Sequence, residues 1–115
     1  MTEQEKMGEI SPFKALDFIR DNAKAYAHAK ADVIYMTEFR KSLKAILMAE
    51  SDAKTESAKE TFAYSDGRYV QHLNGLRTAI ATAEEYRWKL IAAQAKIEVW
   101  RSLESSARAE GKATQ

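Results

Sequence analysis

The sequence contains no cysteine. That excludes a disulfide scaffold, a thiolate zinc site and a cysteine nucleophile. Its 115 residues include only 4 glycines and 1 proline, too few turn formers for an all-β fold. Long hydrophobic runs are missing as well. A stretch such as Leu90–Ala93 is far short of the about 20 apolar residues that span a bilayer. The segment Met1-Thr2-Glu3-Gln4-Glu5-Lys6 is polar and acidic, unlike a signal peptide, so a cytoplasmic location is expected. Neither sign of charge dominates: Lys and Arg total 18, Asp and Glu 17, and the formal net charge is +1. A uniformly basic nucleic-acid binder and an acidic nucleic-acid mimic are both excluded.

What is present is helical. The chain holds 20 alanines, and alanine is the best helix former. Residues 1–10 are expected to form a flexible arm. Ser11-Pro12 is a helix start, a hydroxyl able to cap an orphan amide followed by a proline whose missing N–H costs nothing there. No glycine or proline occurs from Phe13 to Asp66, so one helix can run from Pro12 to about Glu50, roughly 60 Å at 1.5 Å per residue. Its first apolar row is Leu16, Ile19, Ala23 and Tyr26. A second row, Ala25, Ala29, Asp32, Met36, Phe39, Leu43 and Ile46, then takes over, so the stripe is expected to shift sideways. Asp32 would be a polar residue in that row, able to fix register.

Residues 51–66 lack a stripe and are expected to be a linker, extending to about residue 67, with Phe62 and Tyr64 pinning its end. Ser65-Asp66-Gly67 is a turn and cap cluster. A second long helix is expected from about Arg68 to about Arg108. Its seam, Leu76, Ala79, Ala83, Tyr86, Leu90, Ala93, Ile97 and Trp100, keeps a 3-4 spacing without polar interruption and ends at Glu104. A flanking row of Leu73, Ile80, Trp88, Ile91, Ala95 and Leu103 widens the apolar face. Gly75 marks either close packing or a kink. Residues 109–115 are expected to be a disordered tail.

The expected fold is therefore all-α: an antiparallel helical hairpin of two long, coiled-coil-like helices forming one domain over residues 11–108. Apolar surface beyond a single seam predicts a homodimer, a helical bundle with Leu16, Ile19, Tyr26, Ile91 and Leu103 at its interface.

Chemistry-bearing clusters are sparse. His28 and Asp32 share a face at i, i+4, a spacing that can hold a metal but is common on exposed helices. Glu84 and Glu85 are adjacent, so they point about 100° apart and cannot share a proton. There is no glycine-rich phosphate loop and no nucleophile elbow. No catalytic residue, cofactor or metal is expected, and the reading is non-enzymatic. Basic groups do interleave with aromatics, a pattern that can hold phosphates and stack bases. Tyr86 and Trp100 belong to the seam, which leaves Arg40, Lys41, Lys44, Arg87, Trp88 and Arg101 as candidates for binding a protein partner or single-stranded nucleic acid. A membrane-surface helix is disfavoured because acids and bases are interspersed.

The run Ala31-Asp32-Val33-Ile34-Tyr35-Met36-Thr37-Glu38-Phe39-Arg40-Lys41-Ser42-Leu43-Lys44-Ala45, taken with Glu85-Tyr86-Arg87-Trp88-Lys89-Leu90 and Ile97-Glu98-Val99-Trp100-Arg101, resembles small uncharacterised helical proteins of tailed bacteriophages and prophages. Genes of that group lie near single-strand annealing and other recombination or replication functions. The resemblance spans roughly residues 25 to 105. It implies a phage protein acting in a bacterial host cell, close to DNA metabolism. It carries no site residues. The expected role is an accessory protein that binds a DNA-metabolism partner. The alternatives are an inhibitor of a host enzyme or defence complex, and a purely structural oligomer.

Overall fold

The computed structural model describes residues 11–113; the expected arm at residues 1–10 lies outside them, as do residues 114 and 115. Three helices make up the described residues: α1, Pro12–Glu50; α2, Glu56–Ser65; and α3, Gly67–Ala113. None carries an apolar window long enough to cross a membrane.

The helix ends follow from local chemistry. The Ser11 hydroxyl accepts from the Lys14 amide at 3.2 Å and its carbonyl from the Ala15 amide at 3.1 Å. Ser11 thus caps α1, and Pro12 follows at the first helical position. After Glu50 the chain turns, with the Ser51 hydroxyl accepting from the Ala53 amide at 3.1 Å. Thr55 is in extended conformation and accepts from the Ala58 amide, capping α2. The expected linker therefore contains a ten-residue helix. Its polar composition hid it, because only Ala63 of α2 is buried. Asp66 separates α2 from α3, and its carboxylate accepts from the Arg68 amide at 2.8 Å. At the other end α3 continues to Ala113, so residues 109–113 are helical and not the disordered tail expected from Gly111. Ala109, Glu110 and Lys112 are good helix formers and outweigh that glycine, which costs about 1 kcal/mol relative to alanine.

Two compact units are distinguished by their internal contacts. One comprises the chain up to Ala25 and from Tyr86 onward; the other is Tyr26–Glu85. We call them the open unit, which holds both chain ends, and the closed unit.

The closed unit has a definite core. Leu47 and Ala63 are 0% exposed and Tyr69 is 8%, with Leu43 and Met48 packed against them. Each of the three helices contributes one of those buried side chains. Fully burying a leucine is worth about 1.5–3 kcal/mol. Tyr64 meets Tyr69 edge-on at 5.2 Å. Phe62 and Tyr64, expected as pins, are 40% and 45% exposed. They stand about 100° to either side of Ala63 on the helix, and the small residue takes the inward position. Met36 lies against His72 and Gly75, while Glu50 meets Arg68, so α1 and α3 contact each other in opposite chain order here.

Burial along α1 corrects the two-row reading. Ala15, Asn22, Ala29, Met36 and Leu43 recur every seven residues, and each is buried or half-buried. Leu16, Ala23, Asp32 and Ile46 are exposed. The inward row is thus one heptad, and it does not shift sideways. Asn22 disguised it. That side chain donates to its own helix, to the Phe18 carbonyl at 2.9 Å, so its amide sits in the row without a cross-helix partner. Asp32 is exposed and lies outside that row. The seam of α3 is as expected: Leu76, Ala79 and Ala83 in the closed unit, and Tyr86, Leu90, Ala93, Ile97 and Trp100 in the open unit, are all buried or half-buried.

Candidate interaction surfaces

The closed unit is fastened by polar contacts between helices. His72 Nε2 donates to the Met36 carbonyl at 2.7 Å, and the same ring lies 5.6 Å from Phe39. Arg68 donates to Asp66 through Nε and Nη2, at 3.1 Å each, and to Glu50 through Nη1 at 3.3 Å and through Nη2. One guanidinium fork thereby joins the ends of all three helices. The Arg68 side chain, with its backbone amide next, holds the Asp66 carboxyl below its usual pKa; Asp66 first and Glu50 second raise that of Arg68.

The basic stretch Arg40, Lys41 and Lys44 lies in this unit, and the structure distributes its members differently. Lys44 is half-buried, 3.4 Å from Glu60 and 4.9 Å above the Tyr64 ring. The Tyr64 side chain first, and Glu60 after it, raise its pKa. Lys44 therefore joins α1 to α2. Lys41 pairs with Glu38 at 3.3 Å on its own helix and remains exposed. Arg40 is half-buried.

In the open unit, the Arg87 guanidinium lies 5.1 Å from the ring of Trp88, which is 59% exposed. An exposed indole backed by a guanidinium offers both an apolar anchor and a cation–π partner. Arg101 is exposed and 3.6 Å from Glu98. Of the expected oligomer contacts, Leu16 is 52% exposed, while Ile19, Ile91 and Leu103 are half-buried. Tyr26, in the closed unit, is also half-buried.

Sequence reasoning missed a groove. Ser11, Lys14, Ala15 and Phe18 of the first segment face Lys89, Ala92, Ala93 and Lys96 of the second around an open volume of about 480 Å³. Alanines form its floor, and small side chains leave such a trough between helices. Three lysines rim it. The signal was available in Lys89 and Lys96, seven residues apart and therefore on one helix face, with Ala92-Ala93 between them.

Among the described residues no group of three or more His, Asp or Glu side chains could hold a metal, and no buried side-chain polar atom lacks a partner. His28 and Asp32 are both exposed. No protein-family model, curated protein or solved structure matches this chain.

Proposed function

We propose that this protein is a non-enzymatic binding factor whose long helices present an interaction surface, acting as a phage accessory protein in DNA recombination or replication. The observation that carries this reading is the exposure of large apolar side chains. Phe13, Leu16, Ile34, Tyr35 and Trp88 are each more than half exposed. Single exposed apolar residues are ordinary, but several on rigid helices supply the anchors that protein interfaces use. In this reading α1 and α3 form an antiparallel hairpin along their length, and two hairpins pair through Leu16, Ile19, Tyr26, Ile91 and Leu103. Arg87 and Trp88 then face a DNA-metabolism protein or single-stranded DNA, with Lys41 and Arg101 supplying orientation. Lys44 stands on the same stretch and also bridges to Glu60 and Tyr64 of α2.

The test is binding to a single-stranded oligonucleotide across a salt series, beside capture from phage-infected host lysate with and without nuclease. Trp88→Ala and Arg87→Glu should weaken both interactions while helicity is retained. Nuclease-sensitive capture points to nucleic acid. Capture of one host protein that resists salt and nuclease supports the inhibitor reading instead. Unchanged binding by both variants removes Arg87 and Trp88 from the site.

A further inference from the structure

The groove of the open unit combines a small apolar floor with a cationic rim. Ala15 and Ala93 at its floor are buried, and Phe18 is half-buried. Lys14 stands on one wall and Lys89 and Lys96 on the other, and no acidic side chain lines the groove among the described residues. The acids nearest in sequence are engaged elsewhere or stand off it. Asp17 and Asp21 both meet Arg20, and Glu98 meets Arg101. Glu104, half-buried, lies eight residues beyond Lys96. Lys89 already has a partner, and Glu85 precedes it by four residues. The positive charge left for a ligand is therefore that of Lys14 and Lys96, both exposed and neither in an ion pair among the described residues. The first turn of α1 adds to it, because no acid there offsets the positive end of the helix dipole.

The closed unit shows how the same two helices are roofed. There α2 turns Ala63 inward against Leu47 of α1 and Tyr69 of α3, and Glu60, one turn earlier, meets Lys44 of α1 at 3.4 Å. A small inward residue flanked by a carboxylate thus fits between α1 and α3, and ten residues of helix suffice. We propose that the open-unit groove binds an acidic amphipathic helix of a partner protein, its small side chains toward Ala15 and Ala93 and its carboxylates toward Lys14 and Lys96. The alanine floor lets such a backbone approach closely. Nucleic acid fits less well, since Phe18 is the one aromatic lining the groove among the described residues and offers no open face for stacking bases. A second copy fits less well too, because the helix of this type that the chain possesses, α2, is already seated in the closed unit. The inference deepens the binding reading with a surface apart from Arg87 and Trp88, neither of which lines the groove.

The probe is a synthetic peptide of about 15 residues, long enough to hold a helix, with alanine along one face and glutamate on both flanks. Its control carries lysine in place of glutamate. The full chain should bind the first peptide and not the second, read by fluorescence anisotropy, and affinity should fall as salt rises. Lys14→Glu with Lys96→Glu should weaken binding at least about tenfold with circular dichroism unchanged. Ala92→Gln, at an exposed position, should weaken it without a change of charge by filling the trough. Arg87→Glu with Trp88→Ala should leave peptide binding intact, so this inference and the Arg87–Trp88 reading can fail separately. A glutamate peptide that does not bind, binds no better than its lysine control, or ignores the changes at Lys14 and Lys96 overturns the inference. So does a single-stranded oligonucleotide, or a second copy of the chain, that takes the groove with the same dependence on those lysines while the peptide does not.

Discussion

The two units use the same pair of helices in different ways. In the closed unit a third helix joins them, and the interior includes a fully buried leucine, a buried tyrosine and a histidine bonded across helices. In the open unit the buried side chains among the described residues are alanines, Ala15 and Ala93, and the larger seam residues Tyr86, Leu90, Ile97 and Trp100 are only half-buried. Two helices bury one stripe each, whereas a third helix can roof that stripe. The closed unit is therefore where stability should concentrate, although both units keep large apolar side chains exposed, Ile34 and Tyr35 in the closed unit and Phe13, Leu16 and Trp88 in the open one. Local opening free energies differ within single proteins for this reason.

The strongest way to break that contrast is to make one truncation in both units. Leu47→Ala should cost about 2–5 kcal/mol, since Leu47 is 0% exposed and leaves a cavity. Leu90→Ala should cost about half of that, because the half-buried site loses less apolar area and can collapse. Denaturant unfolding measures both. Equal losses would mean the open unit is as tightly packed as the closed one. Next in size is Thr55→Ala, which removes the cap of α2 for about 1 kcal/mol. Hydrogen exchange should accelerate around Ala63 and Leu47 and stay unchanged around Ala93. Acceleration in both units would show that they open together.

A smaller effect should appear on acidification. Asp66 has a depressed pKa in the folded state because Arg68 bonds its carboxylate. The folded chain thus favours the ionised form. Its stabilising contribution is present above the ordinary value of 3.8 and is lost as pH falls below that value through the lower folded pKa. Asp66→Asn should flatten the acid limb of a stability–pH curve while leaving Leu90 and its surroundings unaffected. An unaltered acid limb would remove the Arg68 fork from the account of the closed unit.

These contrasts also show which features are legible in a sequence. The Ser11-Pro12 start, the end of α1 near Glu50 and the α3 seam are all local patterns, written in caps and in a 3-4 repeat. The α1 row was misread because Asn22 satisfies its own amide on the preceding turn and so occupies an inward position without being apolar. α2 escaped notice because one alanine is its whole buried contribution, and a single small residue makes no stripe. The roles of Lys44 and Arg68 depend on partners 16 and 18 residues away on other helices, which no pattern within one helix encodes. For the same reason Lys44 looked like a free cation beside Arg40 and Lys41.

The finest probe of the closed unit is Gly75. A Cβ built there would meet the Met36 methyl, Cε, at 3.1 Å, so the glycine marks a close approach of α3 to α1 and not a kink. Two terms then oppose each other in Gly75→Ala. Alanine gains about 1 kcal/mol of helix propensity at an interior position. Against that, the contact is tight, and overpacking a core costs about 1–3 kcal/mol when the neighbours cannot move. The neighbour here is the end of an unbranched thioether chain, which changes rotamer readily. Only a few tenths of an ångström are needed. Gly75→Ala should therefore be neutral or raise stability by less than about 1 kcal/mol. If thermal unfolding instead shows a clear loss, the Met36 side chain is held by its packing and cannot change rotamer. In that event Gly75→Ala with Met36→Leu, which shortens the obstructing chain, should recover the loss.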